Sequence, residues 1–183
     1  MSDVIKRERI RKISSEIKDA IRKAGLERIG ACYQCGTCTG GCPSGRRTAL
    51  RTRALVRRAL IGDESIFEDE DLWLCSTCYT CYERCPRDVP VTDVIILLRN
   101  MAIERGFMKP SHKNLTHFLA KSGHGVPGDQ KWFDLREAYG LPPRPPTAQS
   151  DPKFVKEIQA IYKSTGFDET VGFQVEQDEG GDQ

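Results

Sequence analysis

All eight cysteines of this 183-residue chain fall in two runs of one spacing. The first is Cys32-x2-Cys35-x2-Cys38-x3-Cys42-Pro43, and the second is Cys75-x2-Cys78-x2-Cys81-x3-Cys85-Pro86. Three thiols crowd within seven residues, twice, and each run closes on Cys-Pro. Structural zinc favours ligands delivered as two separated pairs, which this is not. An even cysteine count permits disulfides, but x2 loops make poor staples. A redox CxxC dithiol accounts for one pair and leaves six cysteines unexplained. The run that remains is the one that wraps a [4Fe-4S] cluster, here duplicated.

Where two such runs share a chain, the fourth cysteine of each ligates the other cluster. One cluster is therefore expected on Cys32, Cys35, Cys38 and Cys85. The other is expected on Cys75, Cys78, Cys81 and Cys42. Crossed ligation would staple the runs together and make metal binding part of folding. Gly36, Gly40, Gly41 and Gly45 interleave the first run, where glycine lets backbone N–H groups turn toward sulfur.

Hydrophobic residues make up 38% of the chain and charged residues 30%, so the apolar core is thin and partner surfaces are expected to add stability. The formal net charge is +2. Two oxidised clusters at about −2 each would turn the holoprotein mildly acidic. Six arginines (Arg46, Arg47, Arg51, Arg53, Arg57 and Arg58) follow the first run. No aromatic residues interleave with them to stack bases, so no nucleic-acid partner is expected. They read as a solvated face, as compensation for anionic clusters, or as a steering surface for an acidic redox partner. No apolar run approaches the length of a membrane span. The stretch MSDVIKRERIRK is charged, unlike a signal peptide, so a soluble, cytoplasmic protein in a reducing setting is expected.

The periodicity predicts helices. Ile10, Ile13, Ile17, Ile21 and Ala24 line one face of residues 4–24, with Gly25 as the stop. Residues 48–61 carry Leu50, Ala54 and Ile61 on one side and end at Gly62. A helix opens near Pro90-Val-Thr-Asp93, with Thr92 as candidate cap and Val94, Leu97, Leu98, Met101 and Ala102 as its apolar face. Helical periodicity between the runs predicts a mainly α, helical ferredoxin-like fold and no β-rich ferredoxin. Trp73, Tyr79 and Tyr82 sit beside or within the second run and are expected to exclude water. Short helices are expected over 111–121 and 132–139. Asp151 should cap a helix through Tyr162, with Pro152 at its first position. His112, His117 and His124 lie outside the cysteine runs and read as surface groups.

CYQCGTCTGGCPSGR, a helical connector, and LWLCSTCYTCYERCPRDV resemble the C subunit of heterodisulfide reductase from methanogenic archaea, over about residues 25–108. The family's eight ligands match Cys32, Cys35, Cys38, Cys42, Cys75, Cys78, Cys81 and Cys85 without a gap. The resemblance implies a relay through two [4Fe-4S] clusters, with the A and B subunits of heterodisulfide reductase as partners. Electrons would come from the flavin-containing A subunit, the site of electron bifurcation, coupled to a hydrogenase or a formate dehydrogenase. They would go to the catalytic B subunit, which reduces the coenzyme M–coenzyme B heterodisulfide in methanogenesis. No cysteine is left over for an open cluster site, so no catalytic residue is expected in this chain. The nearest alternative is the iron–sulfur subunit of another anaerobic oxidoreductase complex. The expected organisation is an N-terminal amphipathic helix (1–25), a two-cluster domain (26–108), a partner-binding arm (109–173) and a disordered acidic tail (174–183).

Overall fold

Ile17 and Ile21 are four residues apart on a helix with charges on its other side, and both are buried. That helix, α1 (Glu16–Lys23), is the start of the fold in a computed structural model that describes residues 13–126 and 128–173. The helix expected over 4–24 begins only at Glu16; residues 4–12 and the acidic tail 174–183 lie outside the described residues. Ile13 is not on the buried face. It is 61% exposed and forms an isolated antiparallel bridge with Asp63. The physical reason is local. Ser14 donates its N–H to the carbonyl of Gly62 and offers its hydroxyl oxygen to the N–H of Glu16, which holds the chain out of helix. Gly62 has to be glycine here: its φ is +76°, and a Cβ would stand 2.1 Å from the Ser14 carbonyl oxygen.

Each cysteine run contains a four-residue helix and is followed by a longer one. Within the first run lies α2 (Thr37–Gly40), and after it comes α3 (Thr52–Ile61). Within the second lies α4 (Thr80–Glu83), and after it comes α5 (Val91–Glu104). A short 3-10 turn precedes each run, Glu27–Ala31 and Glu70–Leu74. The duplication legible in the cysteines therefore extends to the elements around them. Among the described residues there is no strand, and the fold is mainly helical.

The core lies where α1, α3 and α5 pack on one another. The buried face of α3 is Thr52, Leu55, Val56 and Ala59, which differs from the face read in the sequence. Leu50 is buried but lies in the turn before the helix, and Ala54 points to solvent. Arginines at 51, 53, 57 and 58 fix the orientation, because their guanidinium groups cannot enter an apolar core unpaired. From α5 the core takes Val91, Val94, Ile95, Leu98, Met101 and Ala102. Asp63, 1% exposed, is held by Arg58 at 3.3 Å and by the N–H and hydroxyl of Ser65. Arg105 pairs with Glu16 and lies over the Phe67 ring at 4.4 Å, which ties α5 to α1.

Contacts divide the chain into two units, Met1–Phe107 and Met108–Gln183. The second is built of α6 (Pro110–Ser122), α7 (Gln130–Ala138), α8 (Pro152–Ser164) and α9 (Phe167–Val171). Helices α6, α8 and α9 pack together. Asp151 caps α8 through a 2.8 Å bond from the N–H of Lys153, with Pro152 following it, as the sequence indicated. His117 bonds the carbonyl of Val171 at 2.8 Å and packs on Phe173, a structural use.

Leu98, fully buried at the centre of α5, is expected to cost about 2–5 kcal/mol when cut to alanine. Asp151→Ala removes only a cap, at about 0.5–2 kcal/mol. Anaerobic urea unfolding should rank the two variants in that order.

Candidate functional site: two cysteine loops

Four residues without a glycine's freedom adopt positive φ among the described residues: Gln34 (63°), Thr77 (52°), Tyr79 (60°) and Asp88 (51°). All four lie in or just after the cysteine runs. Each costs of order 1–3 kcal/mol and persists only where the surroundings impose it. For Thr77 the penalty is steepest, because its side chain branches at Cβ. Gln34 and Thr77 occupy the same place in the two runs, as do Gly36 (φ +87°) and Tyr79.

Hydrogen-bond donors in and beside the runs point at sulfur. The N–H of Thr77 points at Cys75 Sγ at 3.4 Å, that of Gly45 at Cys42 Sγ at 3.3 Å, and that of Val89 at Cys85 Sγ at 3.3 Å. The side-chain amide of Gln34 donates to Cys32 Sγ at 3.4 Å. Threonine hydroxyls meet Cys35 (Thr37), Cys78 (Thr80) and Cys81 (Thr92), at 3.3–3.4 Å. Hydrogen bonding with Thr37 and Thr80 holds the exposed Cys35 and Cys78 thiols below their ordinary pKa. Burial pushes the Cys38 and Cys81 thiols up. A donor aimed at sulfur is the device by which proteins stabilise thiolate ligands and tune iron–sulfur centres.

Thr92 is corrected from the role the sequence suggested. It is not the cap of α5, which starts at Val91 after Pro90. It is the second helical residue, fully buried, with its hydroxyl on Cys81. No local signal marks that role, since the two residues lie eleven apart and only the packing of α4 on α5 brings them together.

The fold sets the end of each run beside the start of the other. Ser44, two residues after Cys42, donates its hydroxyl to the carbonyl of Leu74 at 2.6 Å, just before Cys75. Arg28, just before the first run, donates to the Arg87 carbonyl at 3.2 Å and to Asp88 at 2.9 Å, just after Cys85. As a result, Cys42 lines one small cavity with Cys75, Cys78 and Cys81; Thr52 and Thr92, from the first turns of α3 and α5, complete its wall. On the other side, Cys38 lies in electrostatic range of Cys81 and of Cys32, and Tyr33 in range of both Cys35 and Cys85. All eight cysteines are free thiols. Among the described residues, no three metal-ligating side chains converge closely enough to hold a single ion. Cys42, Cys75, Cys78 and Cys81 ring a space instead of meeting at a point. A set of thiols around a space, with N–H groups aimed at sulfur, fits a cubane whose irons sit at separate corners.

Three of the six arginines after the first run are committed to the scaffold. Arg58 pairs with Asp63 and Asp69, Arg51 bonds the carbonyls of Gly45, Thr48 and Leu50, and Arg53 bonds the carbonyl of Gln34. The reading of these residues as one free cationic face is narrowed accordingly.

Residues 28–89 match the 4Fe-4S dicluster domain family. Together with the eight cysteines, that match makes this an iron–sulfur protein. Over 165 residues the chain is 47% identical to the C subunit of the H(2):CoB-CoM heterodisulfide,ferredoxin reductase of Methanothermobacter marburgensis, covering 90% of this chain and 89% of that one. It is 50% identical over 145 residues to the C2 subunit of the H(2)/formate:CoB-CoM heterodisulfide,ferredoxin reductase of Methanococcus maripaludis, covering 79% of each. With the C subunit of the ferredoxin:CoB-CoM heterodisulfide reductase of Methanosarcina mazei it shares 44% identity, covering 86% of this chain and 97% of that one. Identity at this level over most of each chain, together with the dicluster domain match, places the protein in the family of heterodisulfide reductase C subunits.

Proposed function

We infer that this chain is the electron relay of a cytoplasmic heterodisulfide reductase. It would carry electrons from the flavin-containing A subunit to the catalytic B subunit, where the coenzyme M–coenzyme B heterodisulfide is reduced. The observation that carries the reading is the cavity that Cys42 shares with Cys75, Cys78 and Cys81. One cluster would be held by those four thiolates and the other by Cys32, Cys35, Cys38 and Cys85. When bound, two [4Fe-4S] clusters supply one-electron transfer.

The chain's own residues do the rest. Eight thiolates in two closed sets leave no cysteine to serve an open coordination position, so disulfide chemistry belongs on a partner. The N–H groups of Gly45, Thr77 and Val89 and the hydroxyls of Thr37, Thr80 and Thr92 face sulfur and lower the cost of adding negative charge there. Cys35 and Cys78 are exposed while Cys42 is buried. Each loop thus offers a solvent-side edge to a partner, and the first keeps its shared end inside. The names of the relatives support the partner assignment. They print H(2), formate and ferredoxin beside the heterodisulfide, which fits a flavoprotein partner served by a hydrogenase or a formate dehydrogenase. Exposed apolar side chains in the second unit, among them Leu115, Trp132, Tyr139 and Leu141, suit residues 109–173 to a partner-binding role. No described helix is long and apolar enough to cross a membrane.

Anaerobic isolation from the native host is expected to recover a flavoprotein and a cysteine-rich protein with heterodisulfide-reducing activity. Recovery of the chain alone, or with an unrelated dehydrogenase, would sink the relay assignment. The purified chain should hold about eight iron. In Cys42→Ala, EPR should show damage to the cluster of Cys75, Cys78 and Cys81 and an intact signal from the other. Loss of the Cys32, Cys35 and Cys38 cluster alone would overturn the crossed pairing.

A further inference from the structure

The two cysteine loops are alike in backbone, but their electrostatic surroundings differ. Arg99, the ninth residue of α5, turns back along its helix to the second run. Its Nε donates to the carbonyl of Leu72 at 2.9 Å and its Nη2 to the carbonyl of Cys75 at 2.6 Å. The guanidinium also lies over the Trp73 ring, 5.7 Å from its centroid. The group is half-buried, and burial lowers its pKa, an effect that the neighbouring Cys75 opposes. Even so lowered, an arginine stays charged at any physiological pH. The ninth residue of α3, the matching helix after the first run, is the uncharged Leu60.

The other cations near the loops are of a different kind. Arg53 reaches the Gln34 carbonyl and Arg51 the Gly45 carbonyl from exposed positions, Arg84 is exposed beside Gly41, Arg28 is exposed and paired with Asp88, and Arg87 is exposed. Exposed charges are screened by water and salt, whereas a half-buried charge acts with less screening. The acidic group at the start of α5, Asp93, accepts a hydrogen bond from Tyr79 at 2.9 Å. The same cavity is lined by Thr52 and Thr92, so the first turns of two helices face it with their positive dipole ends. Thr92 adds a buried hydroxyl on Cys81.

We propose that Arg99, helped by Thr92, makes the cluster of Cys42, Cys75, Cys78 and Cys81 the higher-potential one, so that an electron entering the chain settles beside the second run. This rests on the two-cluster, crossed-ligand reading above and adds a direction to it. The physics is that reduction adds one negative charge, and a nearby cation and hydrogen-bond donors favour the more negative state. The internal step oxidises one centre and reduces the other by one electron, with no bond broken and no proton moved. Arg99 is a positioning and tuning residue and touches no substrate. Electron exit would then use the exposed edge of the second run, at Cys78 and Tyr79.

The test is an anaerobic potentiometric titration of the holoprotein followed by EPR, with signals assigned through Cys78→Ser. In the wild type the centre altered by Cys78→Ser should titrate at the higher potential. Arg99→Met should lower that centre alone, by at least a tenfold change in its reduced-to-oxidised ratio, about 59 mV for one electron. Arg99→Lys should keep most of the potential, and Thr92→Val should lower it by less than Arg99→Met does. Equal shifts of both centres, or none, in an Arg99→Met protein with full iron content would overturn the proposal. If Arg99→Met fails to assemble, the wild-type order decides, and a lower potential at the Cys78 centre overturns it. An iron content near four per chain would defeat the two-cluster reading and this proposal with it, a result that no shift in potential can imitate.

Discussion

Sixty residues separate Arg28 from Asp88 and thirty separate Ser44 from Leu74, yet each pair is hydrogen-bonded. These two ties bring the tail of each cysteine run against the head of the other. Everything at the site follows from that reciprocal closure. Each bond is worth only about 0.5–1.5 kcal/mol net, and Arg28 and Asp88 are exposed. The ties therefore set register more than they supply stability. The stability comes from the packing of α1, α3 and α5 beneath them and, in the holoprotein, from thiolate–metal bonds.

Register matters because the loops are strained. Positive φ at Thr77, Tyr79 and Gln34 is unfavourable for these residues in isolation. At Thr77 the turn aims a backbone N–H at Cys75, and at Gln34 the side-chain amide meets Cys32. The first run places a glycine, Gly36, where the second places Tyr79. The tyrosine compensates for its backbone cost with a hydroxyl bond to Asp93 on α5. Two copies of one loop thus reach the same backbone by different means, and the difference gives the second loop contacts to α5 that the first lacks.

The second unit follows a different physical logic. Among its described residues the buried hydrophobic ones are Ala120 and Val171, while larger apolar side chains stay in contact with water. Helix caps at Asp129, Asp151 and the C-terminal glycine of α6 define its elements more than a core does. A unit with so little burial of its own is suited to completing its core against another protein.

Much of this was legible without the structure. Two matching cysteine quartets determine iron–sulfur chemistry because ligand identity and spacing are local properties of the chain. The stops at Gly25 and Gly62, the cap at Asp151 and the helical connector are local too, set by φ preference and side-chain-to-backbone bonds. The tertiary structure decided what depends on contacts between distant residues. It shifted the start of α1 to Glu16, because Ser14 pairs with Gly62 across forty-eight residues. It rotated α3 so that Leu55 and Val56, not Ala54, face the core. It moved Thr92 from a helix cap to a cysteine, and it brought Arg99 back to Cys75. A sequence specifies which thiols are available; only the packing of α5 against the second loop decides what charge and which hydroxyl stand beside them.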